Sequence, residues 1–177
     1  MKTSLLVLIL SLITAPMVSA EPEIVRFMQE CGFTVTFPGK ISTKLKKGTA
    51  KSPQEWMHVR DIEYLGKYHE ISAICKPLDP RGREFELLMF YKNMEKEARR
   101  VRIAKPLTSF KQDQKHGIVL GQWKGYTKDY KKKPVTVEGR YILGRRSKLL
   151  LMVATPGSHA EPSPMITDFF NSVRRKY

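Results

Sequence analysis

The sequence predicts an α+β protein, with an antiparallel sheet flanked by helices in a single domain. Three observations carry that prediction. Apolar and polar residues alternate in Phe33–Phe37 and again from Val135 to Leu143, the period-two pattern of half-buried strands. Apolar residues recur at helical spacing near residues 81–99 and again from Ile166 to Tyr177. A sheet with one apolar face needs a second layer to cover it, and two helices are the economical cover.

The elements follow in order. Residues 1–20 carry Lys2, a short apolar stretch over 5–14, Pro16, and then the small residues Ser19 and Ala20. That order of charge, apolar core and small residues is a secretory signal, with cleavage expected after Ala20. The apolar stretch is about half the roughly 20 residues that span a bilayer. Glu21 stands where a lipid-anchored protein would need Cys. The expected mature chain is residues 21–177, one basic α+β domain with no transmembrane helix.

Phe33–Phe37 reads as a strand ended by Pro38-Gly39. Lys40–Pro53 is polar and basic and reads as a loop. Trp56–Leu65 reads as extended, and His69–Lys76 as a strand with Ile71, Ala73 and Cys75 on one face. Asp79-Pro80 is a helix start, with Asp as N-cap and Pro at the first helical position. Behind it Leu87, Phe90, Tyr91, Met94, Ala98 and Val101 mark a helix over 81–99. Phe85–Tyr91 taken alone could also form a strand. Arg102–Gln112 and Gly117–Tyr126 read as strands. Val135–Leu143, the turn Gly144–Ser147 and Leu149–Thr155 form a hairpin. Ser163-Pro164 caps a last helix with Ile166, Phe169, Phe170, Val173 and Tyr177 on one face, and Arg174–Lys176 at its C-terminal end, where cations favour the dipole.

Three of these segments resemble PsbP-like proteins and their bacterial relatives: Phe33–Lys40 as the opening strand, Tyr141–Val153 as the late hairpin, and Asp168-Phe-Phe-Asn-Ser-Val173 as the final helix. The resemblance spreads over most of residues 31–175. It implies an α/β/α sandwich, and an accessory role in a larger assembly in place of catalysis. It carries over no functional residue.

Cys31 and Cys75 are the only cysteines, 44 positions apart. In an exported chain such a pair most often forms a disulfide. A reactive thiol or a metal pair is the alternative, but no CxxC spacing supports either.

Catalytic signatures are absent from the sequence. His58, His69, His116 and His159 form no short metal-ligand spacing. His69-Glu70 is a weak dyad, because strand neighbours point to opposite faces. There is no GxSxG nucleophile motif and no phosphate-binding glycine loop. Ser158-His159 reads as a turn. No cofactor is expected.

Charge is the main functional signal. Thirty-two Lys and Arg face 17 Asp and Glu, a net charge of +15, and only Lys2 belongs to the leader. Such a field attracts anionic partners and speeds their encounter. Bases cluster at Lys44–Lys51, Arg99–Lys105, Lys128–Lys133, Arg140–Lys148 and Arg174–Lys176. Solvation of the surface is the bland reading of these clusters. A pI near 9.9 is the usual mark of nucleic-acid binding, which export argues against. Trp123, Tyr126 and Tyr130 interleave with lysines, a pattern that grips single strands but equally suits a protein or sugar surface. Lys131, Lys132 and Lys133 form a candidate docking tip, with Arg145 and Arg146 as further candidates.

The expectation is a non-enzymatic accessory protein, periplasmic or secreted, that docks through a basic surface onto an envelope protein complex or another anionic envelope surface. Three alternatives stay open: a subunit of a secretion-system complex specifically, a carrier of a small anionic ligand, and an envelope hydrolase. Partner, process and oligomeric state are not legible in the sequence.

Overall fold

Alternation along the strands, more than helix propensity, organises the molecule. A computed structural model describes residues 23–26, 31–39, 46–49, 52–64, 67–100, 107–113, 118–129, 131–157 and 163–175. The expected signal segment, Gly66, Val101–Pro106, His116, Tyr130 and Ser158-His159 lie outside them. The described elements are β1 (Glu23–Arg26), β2 (Phe33–Phe37), β3 (Lys46–Thr49), β4 (Ser52–Tyr64), β5 (Lys67–Pro77), α1 (Pro80–Leu88), α2 (Phe90–Arg100), β6 (Leu107–Asp113), β7 (Ile118–Lys128), β8 (Pro134–Leu143), β9 (Ser147–Pro156), α3 (Pro164–Asn171) and β10 (Arg174–Arg175). The fold is mixed α+β and mostly strand.

Seven strands form one antiparallel sheet in the order β3-β4-β5-β9-β8-β7-β6, and β1-β2-β10 form a second, small one. Two meanders, β3-β4-β5 and β6-β7-β8-β9, join where β5 pairs with β9. Ile71, Ala73 and Cys75 stand opposite Val153, Leu151 and Leu149. The two helices α1 and α2 make the connection from β5 to β6.

Each face of the large sheet has its own core. On one face Ile71, Ala73, Cys75, Leu149, Leu151 and Val153 pack against Phe33, Val35 and Phe37 of β2 and Ile166, Phe169 and Phe170 of α3. On the other, Val119, Trp123, Val137, Tyr141, Leu143 and Leu150 pack against Phe90, Met94 and Ala98 of α2. Strands covered on both sides read as continuous apolar runs. That accounts for Leu149–Ala154, where both parities are apolar. Gly139 lies opposite Trp123 across β7 and β8, and a Cβ there would sit 2.2 Å from the indole ring. The missing side chain is the seat of that tryptophan.

The expected disulfide is present. Cys31 and Cys75 are bonded with Cα atoms 6.1 Å apart, and both are buried. It ties the entry to β2 onto the middle of the large sheet. Ser147 Oγ donates to the Cys31 carbonyl at 2.6 Å beside it.

Three expectations are corrected. Lys40–Pro53 is not a loop throughout: Lys46–Thr49 pairs with the start of β4, Thr49 facing Ser52. Backbone pairing in a tight hairpin needs no apolar alternation, so the polar sequence hid it. The helix expected over 81–99 breaks at Met89 into α1 and α2. Phe90, Met94 and Ala98 of the predicted stripe are buried, whereas Leu87 and Tyr91 are exposed and Glu86 is buried in α1. The last helix stops at Asn171, and Arg174 and Arg175 pair with Thr34 and Phe33 of β2 as a short strand. Ser172 makes that exit: its Oγ donates to Phe169 O at 2.7 Å and accepts from Thr36 N–H at 3.0 Å. Both predicted caps are made, Asp79 accepting from Gly82 N–H and Ser163 from Ile166 N–H. Among the described residues no helix is long and apolar enough to cross a membrane.

Candidate functional site

Two arrangements of polar groups compete as the functional site. The first is buried. Glu86, 8% exposed, turns its carboxylate inward from α1. Its Oε2 accepts from Tyr141 Oη at 2.5 Å and from Asn93 Nδ2 at 2.7 Å, and its Oε1 is ion-paired with Lys148 Nζ. The Lys148 ammonium also lies 5.7 Å from the centre of the Tyr141 ring. Burial pushes the Glu86 carboxyl up, but bonds from Lys148, Tyr141 and Asn93, with the Lys148 charge, hold it below the usual carboxylate range. Burial, together with the bond to Glu86 and the charges of Glu86 and Glu97, pushes the Tyr141 phenol well above its usual range.

A carboxylate, an ammonium and a phenol in contact could serve proton transfer. Here each satisfies another, and the carboxylate stays ionised while the phenol stays neutral. The chemistry is that of a pin holding α1 to β8 and β9. A carboxyl group with a lowered folded pKa contributes stability above its unfolded pKa, and that contribution is lost as pH falls. Glu86→Gln is therefore expected to cost about 1–3 kcal/mol at pH 7. The gap to wild type should narrow below about pH 4, as the unfolded-state carboxyl protonates. Urea unfolding at both pH values checks this; a gap independent of pH would contradict it.

The second arrangement is exposed and cationic. Lys131, Lys132 and Lys133 all lie on the surface in the turn from β7 to β8. Asp129 builds that turn. One of its carboxylate oxygens accepts from the Lys131 and Lys133 N–H groups, each at 2.8 Å. Its carbonyl accepts from Lys132 N–H at 3.0 Å, and its N–H donates to Lys133 O at 2.9 Å. Lys132 has φ +61°, the left-handed conformation that closes so tight a turn. The sequence signal for this turn was Asp two residues before the start of the lysine run, a residue that bonds the backbone ahead of it.

Arg145 and Arg146 are exposed in the turn from β8 to β9, closed by Gly144 N–H donating to Ser147 O at 2.8 Å. They do not join the lysines. The 10 residues of β8 separate the two turns, and at about 3.3 Å per residue the turns lie about 30 Å apart. The arginines meet the start of α1 instead. Leu78 N–H donates to Arg146 O at 2.7 Å, and Arg83 Nε to Gly144 O at 3.1 Å. Arg140 is absorbed elsewhere: its guanidinium stacks 4.7 Å over Phe170 and donates to Asn171 Oδ1 at 3.0 Å. Lys124 pairs with Glu138 at 3.3 Å.

Of the histidines, only His69 has a described side chain. It is buried, with Nδ1 3.2 Å from Thr155 Oγ1, while Glu70 is exposed on the other face, so the two form no dyad. Among the described residues no group of three His, Cys, Asp or Glu side chains is placed to hold a metal ion. Compared with protein-family models, curated proteins and solved structures, the chain has no significant match.

Proposed function

We propose that this chain is a non-enzymatic accessory protein of the periplasm or cell exterior, docking onto an anionic face of a larger envelope assembly through Lys131, Lys132 and Lys133. The observation that carries the reading is the Asp129-built turn. Three ammonium groups on a fixed backbone lose less freedom on binding than three on a mobile loop. A contact made by exposed charges steers encounter and sets orientation more than it adds affinity. That suits a protein seated on an assembly held together by other subunits.

The leader-like residues 1–20 and the buried disulfide are consistent with an oxidising compartment. Helices α1 and α2 on one face of the large sheet, and α3 with the small sheet on the other, are compatible with the sandwich that the PsbP-like resemblance implies; the accessory role comes from that resemblance alone. A secretion apparatus is the more specific setting within this reading. Arg145 and Arg146, at the other end of β8, belong to a different surface.

Reversing the three lysines to glutamate is expected to weaken association with isolated envelopes roughly tenfold or more, chiefly through slower binding. The melting temperature should stay near wild type, because all three side chains are exposed. Association unchanged at low salt would remove the tip from the reading.

A further inference from the structure

We propose that the outer face of α1 and the start of α2 lies on an anionic lipid bilayer. α1 is inverted relative to an ordinary surface helix. Its buried residue is the carboxylate Glu86, and its apolar residues point out: Leu88 is 80% exposed, Phe85 60% and Leu87 38%, with Tyr91 of α2 at 60%. The Glu86 pin enforces this orientation, because turning the carboxylate outward would leave Lys148 and the Tyr141 hydroxyl without it. Neighbouring exposed apolar side chains on a monomer mark an interaction surface.

Charge identifies the partner. Arg145 and Arg146 stand at the N-terminal end of α1, joined to it by the Arg83–Gly144 bond. Arg81 is exposed on its first turn. Beyond Leu88, Lys92 and Lys96 follow at one-turn spacing, then Arg99 and Arg100, all exposed. Glu95 and Glu97 are engaged by Arg99 at 2.7 Å and Arg100 at 3.4 Å, and the exposed Glu84 of α1 is outnumbered by Arg81, Lys92, Lys96, Arg145 and Arg146 around it. The apolar strip is therefore bracketed by cations at both ends. A second copy meeting this face symmetrically would set cations against cations. Phe85, Leu87, Leu88 and Tyr91 lie close together in the chain and all project to solvent. A headgroup layer accepts such knobs below its phosphates, an aromatic hydroxyl at its level and cations at its surface.

This surface is separate from the Lys131–Lys133 tip and stands whether or not that tip docks. The test uses the purified protein and sedimentation with phosphatidylcholine vesicles with and without phosphatidylglycerol. Wild type is expected to bind the anionic vesicles and not the neutral ones. Phe85→Ser with Leu88→Ser should weaken that binding roughly ten- to a hundredfold. Leu88→Trp should retain binding and shift its added emission to the blue on vesicle addition. The Lys131–Lys133 reversal should keep most of the Phe85- and Leu88-dependent binding, which separates failure of this proposal from failure of the docking tip. If the serine pair binds vesicles like wild type, adsorption is merely electrostatic and the proposal is overturned. It is overturned too if neutral vesicles bind equally, or if the serine pair strips a protein subunit from crosslinked complexes while vesicle binding is unchanged.

Discussion

Phe169→Ala is expected to lower the unfolding free energy by about 3–5 kcal/mol, the range for removing a buried aromatic ring. Phe169 is 1% exposed. Its ring lies 5.2 Å from Phe37 and 5.5 Å from Phe170, so it touches the small sheet and its own helix at once. The lost ring removes apolar burial and leaves a cavity that three layers cannot close by one rearrangement. Urea unfolding monitored by far-ultraviolet circular dichroism should show a lower midpoint with the slope retained. A loss below about 1 kcal/mol, as for an exposed site, would contradict this account of the core.

Replacing Cys31 and Cys75 together with alanine is expected to cost about 2–5 kcal/mol. The bridge closes a loop of 44 positions, for which chain entropy alone gives about 4 kcal/mol. Alanine is the informative substitution, because buried serine hydroxyls would add a desolvation cost of their own. The melting temperature of the double variant should fall, and a reductant should destabilise wild type while leaving the variant untouched. An unchanged melting temperature would mean that the bridge does not constrain the unfolded chain.

The parts of the fold legible in the sequence are those set by neighbours in the chain. Phe33–Phe37 alternates because one face is buried, and its burial alternates strictly in the structure. The hairpin of β8 and β9 announces itself through Val135–Leu143 and the Gly144–Ser147 turn. Asp79 and Ser163 cap helices as their spacing requires. What the sequence hid depends on residues far away. Glu86 goes inward because Tyr141 and Lys148, 55 and 62 positions on, receive it. Arg174 leaves the helix because β2, 140 positions back, offers an edge to pair with.

The candidate site divides in the same way. Lys131–Lys133 was legible as a tip because the turn is local. Its separation from Arg145 and Arg146 was not, since closeness in sequence hides a whole strand running between two turns. The outward face of Phe85, Leu88 and Tyr91 was hidden for the reason that hid Glu86: a helical stripe says which residues share a face, while the partner decides which face is buried.

The proposed seating of this protein on a larger envelope assembly rests on the Lys131–Lys133 tip. The most direct measurement is affinity purification of the tagged protein from crosslinked, gently solubilised envelopes, wild type beside the triple glutamate variant, with bound proteins identified by mass spectrometry. Several subunits of one assembly should accompany wild type and be lost from the variant, with both proteins equally folded. Recovery of wild type alone, or of the same subunits with both proteins, would contradict that seating.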